Sequence, residues 1–323
     1  MNVLYIGGSG EISHACVEAS IKAGHAVTVF NRGKTPARWE GTVEQVTGDM
    51  TTAQTYSALA DQHFDVVCQF IAFDPDGIQR DIDTFRGRCD QYIFISTASA
   101  YQKPVPADPI TEAVPLDNPF WAYSRAKAAC ERVLSEADTF PVTVVRPSHT
   151  YRTRLPGTCL DTDHMTWRIL HDKPVIVMDD GESPWTLTYA SDFAAAFLGL
   201  FGATAAIGEA FHITSEAPHT WDEIVLAVGR ALNRTPNLVH VPTRSLIEYD
   251  EAWRGPLLGD KSNPAVFNNN KVRTVVGDWH CRVDLEEGLA LAAPFALARQ
   301  HRGYQPDPAR EALVDRICRD FTP

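Results

Sequence analysis

The chain has 323 residues, 44% of them hydrophobic and 22% charged, with a formal net charge of −12. That composition can bury a sizeable core in one large or two small domains, and an acidic balance disfavours extended contact with a nucleic-acid backbone. No apolar run approaches the ~20 residues of a membrane span. No basic segment leads into an apolar one as a secretory leader would, and Cys16, Cys68, Cys89, Cys130, Cys159, Cys281 and Cys318 lack C-x-x-C spacing, which predicts reduced thiols in a cytoplasmic protein.

Val3 to Ile6 is a short apolar run suited to a buried parallel strand, and it passes straight into Gly7-Gly8-Ser9-Gly10. Glu11 to Gly24 predicts a helix, with Ile12, Cys16, Ala19 and Ala23 recurring on one face and Gly24 as its C-terminal stop. His25 to Phe30 gives a second strand. Such a glycine turn also serves as an ordinary strand-to-helix connection. In this order, with Asn31-Arg32 ending the second strand where a ribose is read, it predicts a βαβ unit that holds a dinucleotide. The glycines let the backbone approach a pyrophosphate seated against the free N–H groups of the helix start. A third glycine would fall at Ser13, where a small residue still permits close packing.

Strands follow at 43–46, 65–71, 92–96 and 142–145, separated by helices at 52–62, 77–87 and 119–138. Alternation at this pitch predicts a parallel sheet covered on both faces, with ligands outside the carboxyl ends of its strands. The second half is less regular. Strands are expected at 175–178, 186–189, 211–213 and 238–241, and helices at 192–201 and 220–233, the latter opened by a Thr220/Glu223 capping box. A final helix at 285–299 is expected to be interrupted by Pro294, and Pro/Gly-rich connectors lie at 154–157, 181–184 and 255–264.

The second chemical signal is Tyr123-x-x-x-Lys127, the one tyrosine of nine with a lysine four residues on. On a helix the two side chains share a face, and an ammonium beside a phenol lowers its pKa toward the range of an acid/base catalyst. The pair follows a hydroxyl-rich strand end, Ser96 to Tyr101, from which Thr97, or Ser99 in its place, could bond the oxygen of an alcohol or carbonyl. No histidine has acidic or cysteine partners at recognisable metal spacing, so no metal is expected.

Gly7-x-x-Gly10, Asp49 after the third strand, Ser96-Thr97-x-x-x-Tyr101, Tyr123-x-x-x-Lys127 and Arg146-Pro147 together resemble the extended short-chain dehydrogenase/reductases, the NAD-dependent epimerase/dehydratase superfamily. Phe30-Asn31-Arg32-Gly33 and Trp185 to Tyr189 are similar to the branch holding the chloroplast stem-loop RNA-binding proteins and related bacterial reductases and epimerases. The resemblance implies a Rossmann-type doubly wound parallel sheet over 1–150, with 186–213 contributing, and a smaller C-terminal α/β substrate lobe over 151–323. It implies Thr97, Tyr123 and Lys127 as catalytic. It places Gly7, Gly10, Glu11, Ile12, Asn31, Arg32, Asp49, Met50, Ala72, Pro147 and His149, with Tyr123 and Lys127, around the cofactor.

Where relatives that use NAD usually carry an acid, this chain has Asn31 followed by Arg32, which leans toward NADP over NAD. Ala98-Ser99 stand where dehydratases carry Asp-Glu, so epimerisation or reduction is expected rather than dehydration. Phe73, Ser99, Tyr101, His149 and Trp185 are the candidate substrate contacts. Trp185 occupies the place of an arginine that grips a nucleotide diphosphate in many relatives, and Arg152, Arg154, Arg168 or Lys261 could replace it. The expected partners are a sugar-like substrate and a second copy of the chain, with no nucleic acid and no membrane. The rival readings are an RNA-binding protein and a dinucleotide sensor without turnover on the same fold.

Overall fold

The computed structural model describes residues 1–35, 37–52, 56, 58–106 and 109–322. Its strands are β1 (Asn2–Ile6), β2 (Ala26–Asn31), β3 (Glu44–Thr47), β4 (Phe64–Gln69), β5 (Cys89–Ile95), β6 (Val142–Pro147), β7 (His149–Tyr151), β8 (Val175–Met178), β9 (Trp185–Tyr189), β10 (Ala210–Ile213), β11 (Pro218–His219) and β12 (Leu238–Val241). Seven of them form one sheet in the order β10-β6-β5-β4-β1-β2-β3, every neighbouring pair parallel. The chain steps outward from β1 in one direction and from β4 in the other. A crevice therefore opens at the carboxyl ends of β1 and β4, where the strand order reverses.

The helices are α1 (Glu11–Lys22), α2 (Pro75–Phe85), α3 (Ala122–Ser135), α4 (Thr162–Leu170), α5 (Ala190–Gly199), α6 (Trp221–Ala231), α7 (Thr243–Tyr249), α8 (Asn270–Val276), α9 (Leu285–His301) and α10 (Pro308–Phe321). Successive residues of a strand face opposite sides, so β1 feeds two cores. Val3 and Tyr5 pack with Cys16 and Val17 of α1 and Phe193 and Phe197 of α5. Leu4 and Ile6 pack on the other side with Ile78, Ile82 and Phe85 of α2 and Cys130 and Leu134 of α3. A third core, around Val177, Trp185, Trp221, Ile224 and Leu289, fills the second lobe. There β8 pairs with β12, and β9 lies between β7 and β11.

Three local expectations change. The helix expected over 52–62 lies partly outside the described residues, and Ala58–Asp61 at its end is a 3-10 turn. Helix α9 continues through Pro294. Pro294 and Ala290, whose carbonyl the proline cannot bond, both lie on its exposed face, so the freed carbonyl meets solvent. The 255–264 connector is not a loose linker: a helical turn at Arg254–Pro256 runs into a π-helical turn at Leu257–Lys261.

Candidate active site

The glycine turn is dictated by backbone geometry and by packing. Gly7 has φ +91°, and a Cβ there would lie 2.4 Å from Ile71 Cγ2. Gly10 caps α1, and its N–H donates to Ser13 Oγ at 2.9 Å, so the serine that replaces a third glycine closes the turn. Gly7, Gly10, Glu11 and Ile12 border a cleft of about 600 Å3 that runs to Ser96, Tyr123, Lys127 and Pro147. The Glu11 carboxylate has a further task. It accepts the backbone N–H groups of Arg152 (3.1 Å), Thr153 (2.7 Å) and Arg154 (3.1 Å) and the Thr153 hydroxyl, joining the first turn of α1 to the second lobe. Burial works against its charge, but these bonds prevail and hold the carboxyl below its ordinary range.

A neighbouring cavity of about 330 Å3 is lined by Arg32, Asp49, Met50, Ala72, Phe73 and Arg80. Asn31 Oδ1 accepts the Gly33 N–H at 2.8 Å, shaping the turn that presents Arg32. The floor is set by a side chain that sequence reading missed. Gln69 Oε1 accepts the N–H groups of Ile71 (2.7 Å) and Ala72 (3.0 Å), while its amide donates to Asp81 at 2.6 Å. Asp81 also accepts the Tyr56 and Tyr92 hydroxyls, and burial pushes its carboxyl up to about 6.

Helix α3 carries Tyr123 and Lys127 one turn apart, as expected, but the lysine does not lower the phenol pKa. Lys127 Nζ donates to the carbonyls of Ala72 (2.7 Å) and Ile95 (2.8 Å), at the ends of β4 and β5. Burial raises the Tyr123 pKa, the nearby Thr97 hydroxyl works against that rise, and the Asp260 carboxylate adds to it. Burial also pushes the Lys127 ammonium down to about 8. Thr97, Ser99 and Ser124 form a hydroxyl chain with steps of 2.9 and 2.8 Å.

A third cavity of about 220 Å3 is lined by Thr97, Ser99, Trp121, Tyr123, Ser148, His149, Asp260 and Lys261. Here the structure redistributes the candidates. Trp185 is 1% exposed and sits behind the pocket, donating its indole N–H to His149 Nδ1 at 3.2 Å. It belongs to the second-lobe core, its ring 5.1 Å from that of Trp221 and tilted to it, and does not line this cavity. Tyr101 is also no pocket wall, because the 3-10 turn Ala98–Ala100 carries it inward. It is fully buried, with its hydroxyl between Arg146 Nη1 (3.2 Å) and His212 Nδ1 (3.1 Å).

Phe73 lies along both the cleft and the 330 Å3 cavity, and His149 lines the 220 Å3 cavity but not the cleft. Among the proposed arginine replacements, Arg154 borders the cleft, whereas Arg168 is fully buried on Glu311 and Asp315. Asp260, Trp121 and Thr150 were missed; only the aromatic cluster Phe120-Trp121-Tyr123 gave a local signal. At the opposite end of the sheet, His63, Asp65 and Asp90 bring ligand atoms within 4.8 Å, but Asp65 already accepts the Asn2 N–H and His63 bonds Asp90.

Two observations test whether a dinucleotide suits the cleft. A side chain at Gly7 would fill the space beside Ile71, and Thr150 Oγ1, which borders the cleft, is buried without a hydrogen-bond partner. The residues present fit the group. The model of the NAD dependent epimerase/dehydratase family matches residues 3–213. A 2'-dehydrokanamycin reductase of Streptomyces kanamyceticus is 29% identical over 248 residues, covering 75% of this chain and 70% of that protein. The chloroplast stem-loop binding protein of 41 kDa b of Arabidopsis thaliana is 26% identical over 308 residues, covering 89% of this chain and 77% of that protein. Among solved structures, an epimerase from Methanothermobacter thermautotrophicus shares the fold with a TM-score of 0.77 at 17% identity, covering 93% of each chain.

Proposed function

Because the chain belongs to the NAD dependent epimerase/dehydratase family, we propose that it carries out hydride transfer at a secondary alcohol or ketone of a sugar-like substrate, with Tyr123 as acid/base. One observation supports this reading above the rest. Tyr123 lines both the cleft and the adjoining 220 Å3 cavity, and it shares the latter with Thr97.

The dinucleotide, when bound, supplies or accepts the hydride. Gly7, Gly10 and Ile12 would hold its pyrophosphate, Arg32, Asp49 and Met50 its adenosine half, and Lys127 and Pro147 its nicotinamide half. Thr97 donates a hydrogen bond to the substrate oxygen. Tyr123 gives that oxygen a proton as a carbonyl becomes an alcohol, and takes it back in the reverse direction. A buried phenol with a raised pKa is protonated at neutral pH, which suits the reductive direction. Ala98-Ser99 after Thr97 provide no carboxylate pair there, so reduction or epimerisation is favoured over dehydration. Arg32 beside Asn31 favours NADP over NAD, and the relative named as a 2'-dehydrokanamycin reductase supports the reductive outcome. A homodimer in the cytoplasm, engaging no nucleic acid, completes the reading.

The test joins binding to turnover. Titration with NADPH and NADH should show NADPH binding more tightly, and Tyr123→Phe should retain that affinity while losing about 100-fold or more of the NADPH oxidation seen with 2'-dehydrokanamycin or another accepted ketone. Undiminished turnover in Tyr123→Phe would sink the acid/base assignment. Binding of neither dinucleotide would sink the whole reading. NAD retained through purification would favour epimerisation.

A further inference from the structure

The mechanism above leaves one carboxylate of the pocket unused. Asp260 shares the 220 Å3 cavity with Thr97, Tyr123 and His149. Among the described residues none donates a hydrogen bond to its carboxylate, and the charges it feels are those of Lys103 and Lys261. Lys261 is largely engaged elsewhere, since its ammonium donates to the carbonyls of Gly157 and Thr158. Asp260 is half-buried and lines that cavity, so a ligand there is placed to donate to its carboxylate.

The turn that carries Asp260 is held in place from several sides. Asn118 donates to Gly259 O at 2.7 Å and to Ser99 O at 2.6 Å, so one amide ties this turn to the strand end that bears Thr97. Trp221 Nε1 donates to Lys261 O at 2.9 Å. A Cβ at Gly259 would lie 2.8 Å from Trp121 Cβ, and one at Gly255, in the turn just before, only 2.4 Å from Trp121 Cδ1, so the segment packs closely against Trp121. Single π-turns of this kind are frequent at functional sites.

Resting on the hydride-transfer reading, we infer that Asp260 is a specificity residue of the second lobe, its carboxylate accepting a hydrogen bond from a donor group, hydroxyl or ammonium, near the reacting carbon. Across the pocket His149 offers the complementary group. Its Nδ1 is taken by the Trp185 N–H, so Nε2 carries the proton and donates. An acceptor and a donor fixed in one small pocket match a polyhydroxylated or amino-substituted ring. A phosphate at the same place would face the Asp260 carboxylate, so the site selects against nucleotide diphosphates there.

The test uses D-glucose, D-glucosamine and UDP-glucose as probes, titrated by calorimetry into protein saturated with NADPH. D-Glucose or D-glucosamine should bind the native protein and bind Asp260→Ala about tenfold or more weakly, with NADPH affinity unchanged as the control for folding. Asp260→Asn keeps a carbonyl acceptor but no charge. It should retain D-glucose and lose D-glucosamine if the donor is an ammonium, and UDP-glucose should bind it better than it binds the native protein. Equal binding of both simple sugars by native protein and Asp260→Ala, or binding of neither by native protein, overturns the inference. Failure of the native protein to bind NADPH or NADH removes instead the hydride-transfer reading beneath it.

Discussion

Trp185 and His149 form a one-way contact: the indole N–H donates to the imidazole Nδ1 at 3.2 Å, and an indole cannot accept in return. The proton of His149 therefore sits on Nε2. Burial, with the Lys261 charge adding to it, pushes the His149 pKa down to about 3, so the ring stays a neutral donor at any ordinary assay pH.

Replacing Trp185 by Phe removes that constraint while keeping an aromatic ring in the core. Trp185→Phe should lower kcat/KM about tenfold, the worth of roughly one hydrogen bond, and leave NADPH affinity unchanged. Nitrogen NMR of His149 should show the Nε2–H form in the native protein and a mixture in the variant. An unchanged tautomer together with unchanged kcat/KM would refute the positioning role.

Lys127 sets an alkaline limit on activity. Its pKa is lowered by burial to about 8, so as pH rises through that value the ammonium loses its charge and a donor in the cleft. Turnover should fall across the same range, and Lys127→Arg, which stays charged, should move the fall to higher pH. Stability runs the other way. Between about 8 and the ordinary lysine value of 10.5 the unfolded lysine holds a proton that the folded one has released, so this group's contribution to stability grows with pH. Parallel pH profiles of rate and of urea midpoint distinguish the two trends. An alkaline limb that stays put in Lys127→Arg would assign it to another group.

Glu11 is a structural tie. Glu11→Ala strands the N–H groups of Arg152, Thr153 and Arg154, and should cost about 2 kcal/mol in urea unfolding. Its folded pKa lies below the ordinary glutamate value of 4.5. The stabilisation is therefore complete above that unfolded value and is lost as pH falls through the lower folded one. Equal urea midpoints for native protein and Glu11→Ala at neutral pH would count against the tie.

Legibility in the sequence followed the range of the interaction. The βαβ unit, the pairing of Tyr123 with Lys127 on one helix face, and the reciprocal bonds of Thr220 and Glu223 were readable because each is decided within a few residues. Direction was not readable. Spacing brings Lys127 beside Tyr123, but the carbonyls that claim its N–H groups belong to Ala72, in the loop after β4, and Ile95, at the end of β5. Tyr101 and Trp185 are aromatic residues near the site in sequence, and aromatic character does not tell a pocket wall from the core behind it. Asp260 was hidden for a similar reason. Its segment reads as a glycine- and proline-rich connector, and only the distant anchors Asn118 and Trp221 make it a fixed turn.

The seventh strand has a consequence for the birth of the molecule. Strand β6 ends at Pro147, but β10, which covers its outer edge, is complete only at Ile213, after much of the second lobe has been made. At about 5–20 residues per second a ribosome needs roughly 3–13 s to cross that interval. Throughout it the Val142–Val145 edge stands open, apolar and ready to pair with another nascent chain. Polysomes translating this message are thus where its aggregation risk is concentrated, and chains released before residue 213 keep that edge exposed for good.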